Sequence, residues 1–204
     1  ELCIKHDVLV VSDEIHCDLT HFGHAYIPFA SLSQEIADRT ISCIAPTKTF
    51  NIAGLQTAAI VISNPEIRKQ VDRGINTDEV AEPNTFAIQA AEAAFDEGEE
   101  WLEELREYLE LNREFLIGSL KELVPEVQVI EAEATYLAWI DCAAITEDTK
   151  ALCAFIREKT GLYLSAGDIF GGNGSHFIRW NYACPKELLG DCIKRFAEGK
   201  KKKK

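Results

Sequence analysis

Asp13 and Lys48 stand 35 residues apart. Each follows a short apolar run of the kind that ends at the ligand-binding edge of an open α/β sheet. By spacing alone the pair has an ordinary explanation, an Asp that caps a turn and a Lys in solvent. The neighbours of Lys48 argue for more. Ala45-Pro46-Thr47 precede it and Phe50-Asn51-Ile52-Ala53-Gly54 follow, a setting too apolar for an ordinary surface lysine. The expectation is a desolvated amine, usable as a nucleophile. Arg179 is the third residue of interest. It sits in residues 177–182, where strand alternation puts Phe177, Arg179 and Asn181 on one face and Ile178, Trp180 and Tyr182 on the other. An Arg inside such a strand is either an edge residue or a functional one.

Two further patterns compete for attention. His16-Cys17, His21 and His24 have the look of metal ligands, but no second cluster accompanies them and the stretch from His16 to His24 reads as a loop. No metal is expected. Gly167, Gly171, Gly172 and Gly174 resemble a phosphate loop, yet they precede a strand rather than a helix, which makes the segment a turn.

The elements that must position these groups alternate. Residues 8–11 read as a strand buried on both faces, residues 31–37 as a short helix, 41–44 and 58–62 as strands, and 65–73 as a helix opened by Pro65. From Pro83 the character changes: residues 86–95 are Ala-rich. After Gly98 the apolar set Leu102, Leu105, Leu109, Leu116, Leu120 and Leu123 recurs at helical steps until Pro125. The acids between them read as a solvated face. Strands near 127–130, at 136–140 and at 177–182, a helix over 147–159 and a last helix carrying Leu188, Leu189, Cys192, Ile193 and Phe196 on one face complete an α/β architecture.

Composition excludes several classes. The chain of 204 residues has 21 Lys+Arg against 34 Asp+Glu and a formal net charge of −13; nucleic acid is not an expected partner, since affinity for phosphate backbones comes from Lys and Arg. No apolar stretch reaches the roughly 18 residues of a membrane span, so no membrane partner is expected either. Seven cysteines without a C-x-x-C pair fit buried thiols in a reducing cytoplasm. Met is absent, from which a fragment is expected. The lysine run 200–204 reads as a polybasic tail, a disordered end or an addition.

At the reactive residues the sequence resembles a known family. Ser12-Asp13-Glu14-Ile15-His16, followed by Ala45-Pro46-Thr47-Lys48-Thr49-Phe50-Asn51-Ile52-Ala53-Gly54-Leu55-Gln56, is similar to the fold-type I pyridoxal-phosphate enzymes, in particular the cystathionine β-lyase (C-S lyase) branch of the class I/II aminotransferases. The likeness continues through Gly98-Glu99-Glu100-Trp101, Ala134-Thr135-Tyr136-Leu137-Ala138-Trp139 and Phe177-Ile178-Arg179-Trp180-Asn181-Tyr182-Ala183. It implies that residues 1–92 are the C-terminal part of a large cofactor-binding domain, 93–112 a linking helix, 113–199 a small α+β domain and 200–204 a tail. The implied cofactor is pyridoxal 5'-phosphate. Lys48 would hold it and move the proton on the substrate α-carbon, and Asp13 would keep the pyridine nitrogen protonated. His16, where many aminotransferases carry Tyr, would face the phenolic oxygen. Thr47 is the phosphate candidate in a segment where Ala45 has no hydroxyl, and Arg179 would clamp the substrate carboxylate. No role passes to Gln56. The resemblance further implies a small amino-acid substrate and a homodimer. Three activities are consistent with it: β-elimination from a cysteine thioether, transamination, or a catalytically silent fragment, because the family's chain is about twice as long.

Overall fold

A computed structural model describes residues 1–202; Lys203 and Lys204, the end of the lysine run, lie outside the described residues. The chain divides into two compact units, Glu1–Glu104 and Leu105 onward.

The first unit contains α1 (Leu2–Lys5), β1 (Val10–Asp13), α2 (Gln34–Ala37), β2 (Thr40–Ile44), α3 (Pro46–Thr49), β3 (Ala59–Val61), α4 (Pro65–Thr77), α5 (Ala87–Glu97) and the start of α6 (Glu99–Leu123). The sheet order is β1-β2-β3. β1 and β2 run parallel with Asp13 opposite Cys43, and β3 returns antiparallel to β2. Parallel pairing brings the carboxyl ends of β1 and β2 to one edge, so the turns that leave them emerge side by side. The strand expected at 8–11 begins at Val10, and it is not buried on both faces: its burial alternates, and Val11 is 69% exposed. β1 is an edge strand of this sheet, paired with β2 alone.

Local chemistry sets the helix starts. Ser33 Oγ accepts the Ile36 N–H at 3.2 Å to begin α2, and Asn64 Oδ1 accepts the Glu66 and Ile67 N–H groups at 2.9 and 3.3 Å with Pro65 at the first helical position of α4. Phe50, two residues past Lys48, packs against Phe95 and Trp101 with ring centroids 6.1 and 5.8 Å away. That contact requires Gly98 between α5 and α6, because a Cβ there would lie 2.4 Å from the Phe50 ring and 2.3 Å from the Ala94 carbonyl oxygen.

The second unit holds the rest of α6, β4 (Gln128–Val129), β5 (Leu137–Asp141), α7 (Thr149–Thr160), β6 (Ser165–Ala166), β7 (Phe177–Asn181) and α8 (Lys186–Lys202). Its antiparallel sheet has the order β4-β5-β7-β6. Helix residues Leu116, Leu120, Ile156, Leu189, Ile193 and Phe196 and sheet residues Ile140 and Ile178 are almost wholly buried, each contributing roughly 1.5–3 kcal/mol of apolar burial. Two leucines expected on inner faces are not there: Leu188 is 51% exposed and Leu123 is 41% exposed. Their neighbours Leu189 and Val124, each fully buried, take the inward positions instead, about 100° away around a helix or its last turn. Asn112 is also fully buried. It donates to the carbonyl oxygens of Tyr182 (3.0 Å) and Cys184 (2.8 Å) and so ties α6 to the chain leaving β7.

All seven cysteines are free, and only Cys142 and Cys153 are buried, with the other five half-buried. Burial pushes the Cys142 thiol up to about 12 and the Cys153 thiol up to about 11, which leaves both protonated and inert.

Two glycines of the second unit provide a test of its packing. At Gly167 a Cβ would meet the Gly174 carbonyl oxygen at 2.4 Å, the Phe177 carbonyl oxygen at 2.7 Å and the Trp139 ring at 2.7 Å, whereas at Gly118, inside α6, it would meet nothing within 4 Å. Gly167→Ala is expected to destabilise by about 1–3 kcal/mol through overpacking. Gly118→Ala is expected to stabilise by about 0.5–1 kcal/mol. Urea unfolding of the two variants measures both; equal effects would contradict this packing.

Candidate active site

The site grows from the common edge of β1 and β2. Asp13 is the last residue of β1, and its Oδ1 accepts the Ile15 N–H at 3.2 Å, turning the chain immediately after the strand. The Cys17 N–H to Glu14 carbonyl bond (3.0 Å) and the Leu19 N–H to His16 carbonyl bond (3.0 Å) continue the turn, and buried Leu19 anchors it. Four residues past the end of β2, Lys48 stands in the single turn of α3, where Pro46, Thr47 and Thr49 are buried.

Lys48 itself is exposed. The apolar neighbours therefore do not desolvate its amine as the sequence led one to expect: they bury themselves and leave the lysine as the outward member of the turn. It borders a cavity of 570 Å³ whose lining includes Ala45, Thr47, Gln56, Thr57 and Ala58. Thr47, a buried residue of α3, lines the same cavity. Gln56, given no role from the sequence, adopts a left-handed conformation (φ 50°) on the same wall.

His16 is half-buried and senses both other groups. Its pKa is lowered from the ordinary histidine value first by burial, then by the positive charge of Lys48, while the negative charge of Asp13 partly opposes the shift. Near neutral pH the imidazole is therefore uncharged. Asp13, His16 and Lys48 thus form one electrostatic cluster; Asp13 and His16 do not themselves line the cavity.

Sequence reasoning missed Asp18. Its Oδ2 accepts the hydroxyl of Thr49 at 2.9 Å and its Oδ1 accepts the Cys17 thiol at 3.5 Å, so one carboxylate joins the residue after Lys48 to the residue after His16. Burial and Asp18 raise the Cys17 thiol to about 11, removing it as a nucleophile near neutral pH. Glu14, next to Asp13, was missed as well: it is buried and accepts the Ser42 hydroxyl at 3.3 Å, bracing β1 against β2. Neither residue has a sequence spacing that distinguishes it from an ordinary turn acid.

Arg179 belongs to the second unit. β7 lies between β5 and β6, and Arg179 is opposite Trp139 on one side and Ser165 on the other, so it is not an edge residue. Its guanidinium carbon sits 4.8 Å from the centroid of Phe170, and among the described residues it has no carboxylate partner. No group of three or more His, Cys, Asp or Glu among the described residues is placed to hold a metal ion, and no described helix is long and apolar enough to cross a membrane.

These features define a class. The α/β fold is that of fold-type I pyridoxal-phosphate-dependent aminotransferase structures: the chain superposes on cystalysin from Treponema denticola, which contains a pyridoxal 5'-phosphate cofactor, with a TM-score of 0.95 and 32% identity over 100% of this chain and 52% of that one. A pyridoxal-phosphate-bound C-S lyase from Staphylococcus hominis gives a TM-score of 0.87 and 30% identity over 98% of this chain and 51% of that one. The chain belongs to the aminotransferase class I and II family, whose model matches residues 1–196. Among its curated relatives is the cystathionine beta-lyase PatB of Bacillus subtilis (strain 168), 40% identical over 195 residues, 96% of this chain and 50% of PatB. The chain spans about half the length of the relatives it matches.

The electrostatic cluster makes a direct prediction. Lys48→Ala removes a positive neighbour and raises the His16 pKa; Asp13→Asn removes a negative one and lowers it further. Because the folded-state value lies below the unfolded one, the His16 contribution to stability is full above the unfolded histidine pKa and is lost as pH falls through the interval between the two. Imidazole NMR titration of the chain measures the shifts, and a His16 resonance indifferent to both substitutions would contradict the geometry.

Proposed function

We propose that this chain is the lysine-bearing half of a pyridoxal-phosphate-dependent C-S β-lyase acting on a cysteine thioether such as L-cystathionine. The observation that carries the reading is Lys48, held outward between buried Thr47 and Thr49 on the wall of a cavity and within the electrostatic reach of His16 and Asp13. The donor set fits the cofactor: an accessible amine for its aldehyde, a carboxylate at the end of β1 for its pyridine nitrogen, a neutral imidazole for its phenolic oxygen, and the hydroxyl-bearing Thr47 on the cavity wall for its phosphate. When bound, the cofactor supplies an electron sink for the negative charge that develops at the substrate α-carbon.

The chain's own residues do the rest. Lys48 Nζ would hold the cofactor by its aldehyde, and its free amine would accept the substrate α-proton. Asp13 would favour a protonated ring nitrogen through its negative charge. His16, neutral near pH 7, has an N–H to give to the phenolic oxygen. Arg179 takes the substrate α-carboxylate in a bidentate pair, a task suited to a planar guanidinium. Loss of the α-proton and departure of the thiolate from the β-carbon, with addition of one water, yield pyruvate, ammonia and a thiol. The lyase names of PatB and the Staphylococcus hominis enzyme support elimination. The family description favours the second reading, transamination, in which the proton returns without loss of thiol. In the same proposal residues 1–92 serve cofactor binding, 93–112 link and 113–199 form the small domain, and the full-length protein works as a cytoplasmic homodimer. A catalytically silent role for the isolated chain is the remaining alternative, since it spans half of its relatives.

The test is product analysis with the full-length protein. Wild type is expected to release pyruvate and thiol from L-cystathionine without an added oxo acid, and Lys48→Ala is expected to lose at least about 10²–10⁴-fold in kcat/KM. Amino transfer dependent on an oxo acid, without thiol release, would replace the lyase reading by the transaminase one. Wild-type pyruvate production by Lys48→Ala would remove both.

A further inference from the structure

The glycine-rich run at residues 167–174 has no part in the proposed chemistry so far, yet it is built with care. Gly167 and Gly174 press backbone on backbone: a Cβ on Gly174 would lie 2.0 Å from the Gly167 carbonyl oxygen, and one on Gly167 would strike Gly174, Phe177 and the Trp139 ring. Between them the 3-10 turn Gly167–Phe170 is closed by Gly171 and Gly172, both in positive-φ conformations (76° and 57°) that L side chains rarely adopt. The outcome of this clasp is an aromatic ring held in the open: Phe170 is 49% exposed.

A half-exposed Phe usually reflects a missing neighbour, but this one has two. Trp139 makes a T-shaped contact with it, centroids 5.6 Å apart and planes at 77°, and Trp139 is itself stacked on Phe177 at 5.1 Å and 12°. On the other side the Arg179 guanidinium carbon lies 4.8 Å from the Phe170 centroid. Arg179 is paired in register with Trp139 across β5 and β7, so the three aromatic rings and the arginine form one continuous stack beginning in the sheet. The ring lies beneath the guanidinium carbon and attracts its charge. The guanidinium N–H groups have no carboxylate partner among the described residues.

We propose that Phe170 is a positioning residue that holds the Arg179 guanidinium in place for capture of the substrate carboxylate, with the Gly167–Gly174 contact and Trp139 holding the ring. The proposal rests on the reading of Arg179 as the carboxylate clamp. An arginine side chain otherwise loses substantial rotamer freedom on binding a planar anion; here that freedom is restricted before the ligand arrives. The platform therefore acts on ligands that carry a carboxylate and is silent toward those that do not.

The experiment measures binding calorimetrically on the cofactor-loaded full-length protein with two probes: 3-(methylthio)propanoate, which keeps carboxylate and thioether but lacks the amine, and 2-(methylthio)ethylamine, which lacks the carboxylate. Phe170→Leu is expected to weaken the carboxylate probe about five-fold and to leave the amine probe within about two-fold, while Phe170→Tyr, which keeps the ring, stays within about two-fold on both. Arg179→Lys is expected to weaken the carboxylate probe about ten-fold or more. If Arg179→Lys has that effect and Phe170→Leu has none, the platform is overturned and the clamp stands. Equal losses on both probes in Phe170→Leu would reduce Phe170 to packing and overturn the proposal as well. If Arg179→Lys leaves the carboxylate probe unaffected, the clamp reading fails and the platform falls with it.

Discussion

The parallel pairing of β1 with β2 is the constraint from which the first unit's chemistry follows. With Asp13 opposite Cys43, the turn that carries His16 and the turn that carries Lys48 must leave the sheet from the same edge. An antiparallel register would send them to opposite ends. The pairing is secured away from the reactive groups, by the buried Glu14 accepting from Ser42 across the two strands and by Asp18 accepting from Thr49. Both links use carboxylates beside the reactive residues, leaving the Lys48 amine itself without a protein carboxylate among the described residues to neutralise it.

Electrostatics then divides the labour. Burial first, and then the cation of Lys48, disfavour a positive charge on His16, with Asp13 partly opposing them, so the imidazole stays neutral near pH 7. In the second unit the same economy of charge appears differently. Arg179 occupies an interior strand, and the ring of Phe170 beneath its guanidinium carbon attracts the charge there.

Much of this was legible from residue order. The apolar runs at 41–44 and 177–182 placed Lys48 just past β2 and Arg179 within β7, because strand period and turn residues are local properties. Exposure was not local. Lys48 in an apolar segment read as buried, but a single helical turn directs Thr47 and Thr49 inward and the residue between them outward. The same limit hid Asn112, a polar residue among leucine steps whose burial depends on two carbonyls 70 and 72 residues away. Phe170 could not be paired with Arg179 from sequence, since the contact depends on the crossing of two glycines that only the folded turn brings together. Val11 shows the reverse error: an apolar run implied burial on two faces, while burial along β1 alternates and leaves that side chain 69% exposed.

The account stands or falls on Lys48 as the amine that holds the cofactor. The direct measurement is to load the full-length protein with pyridoxal 5'-phosphate, reduce with borohydride and map the modified peptide by mass spectrometry. The account predicts a stoichiometric adduct on Lys48 that is absent from Lys48→Ala. An adduct on a different lysine, or none at all in the loaded protein, would contradict it.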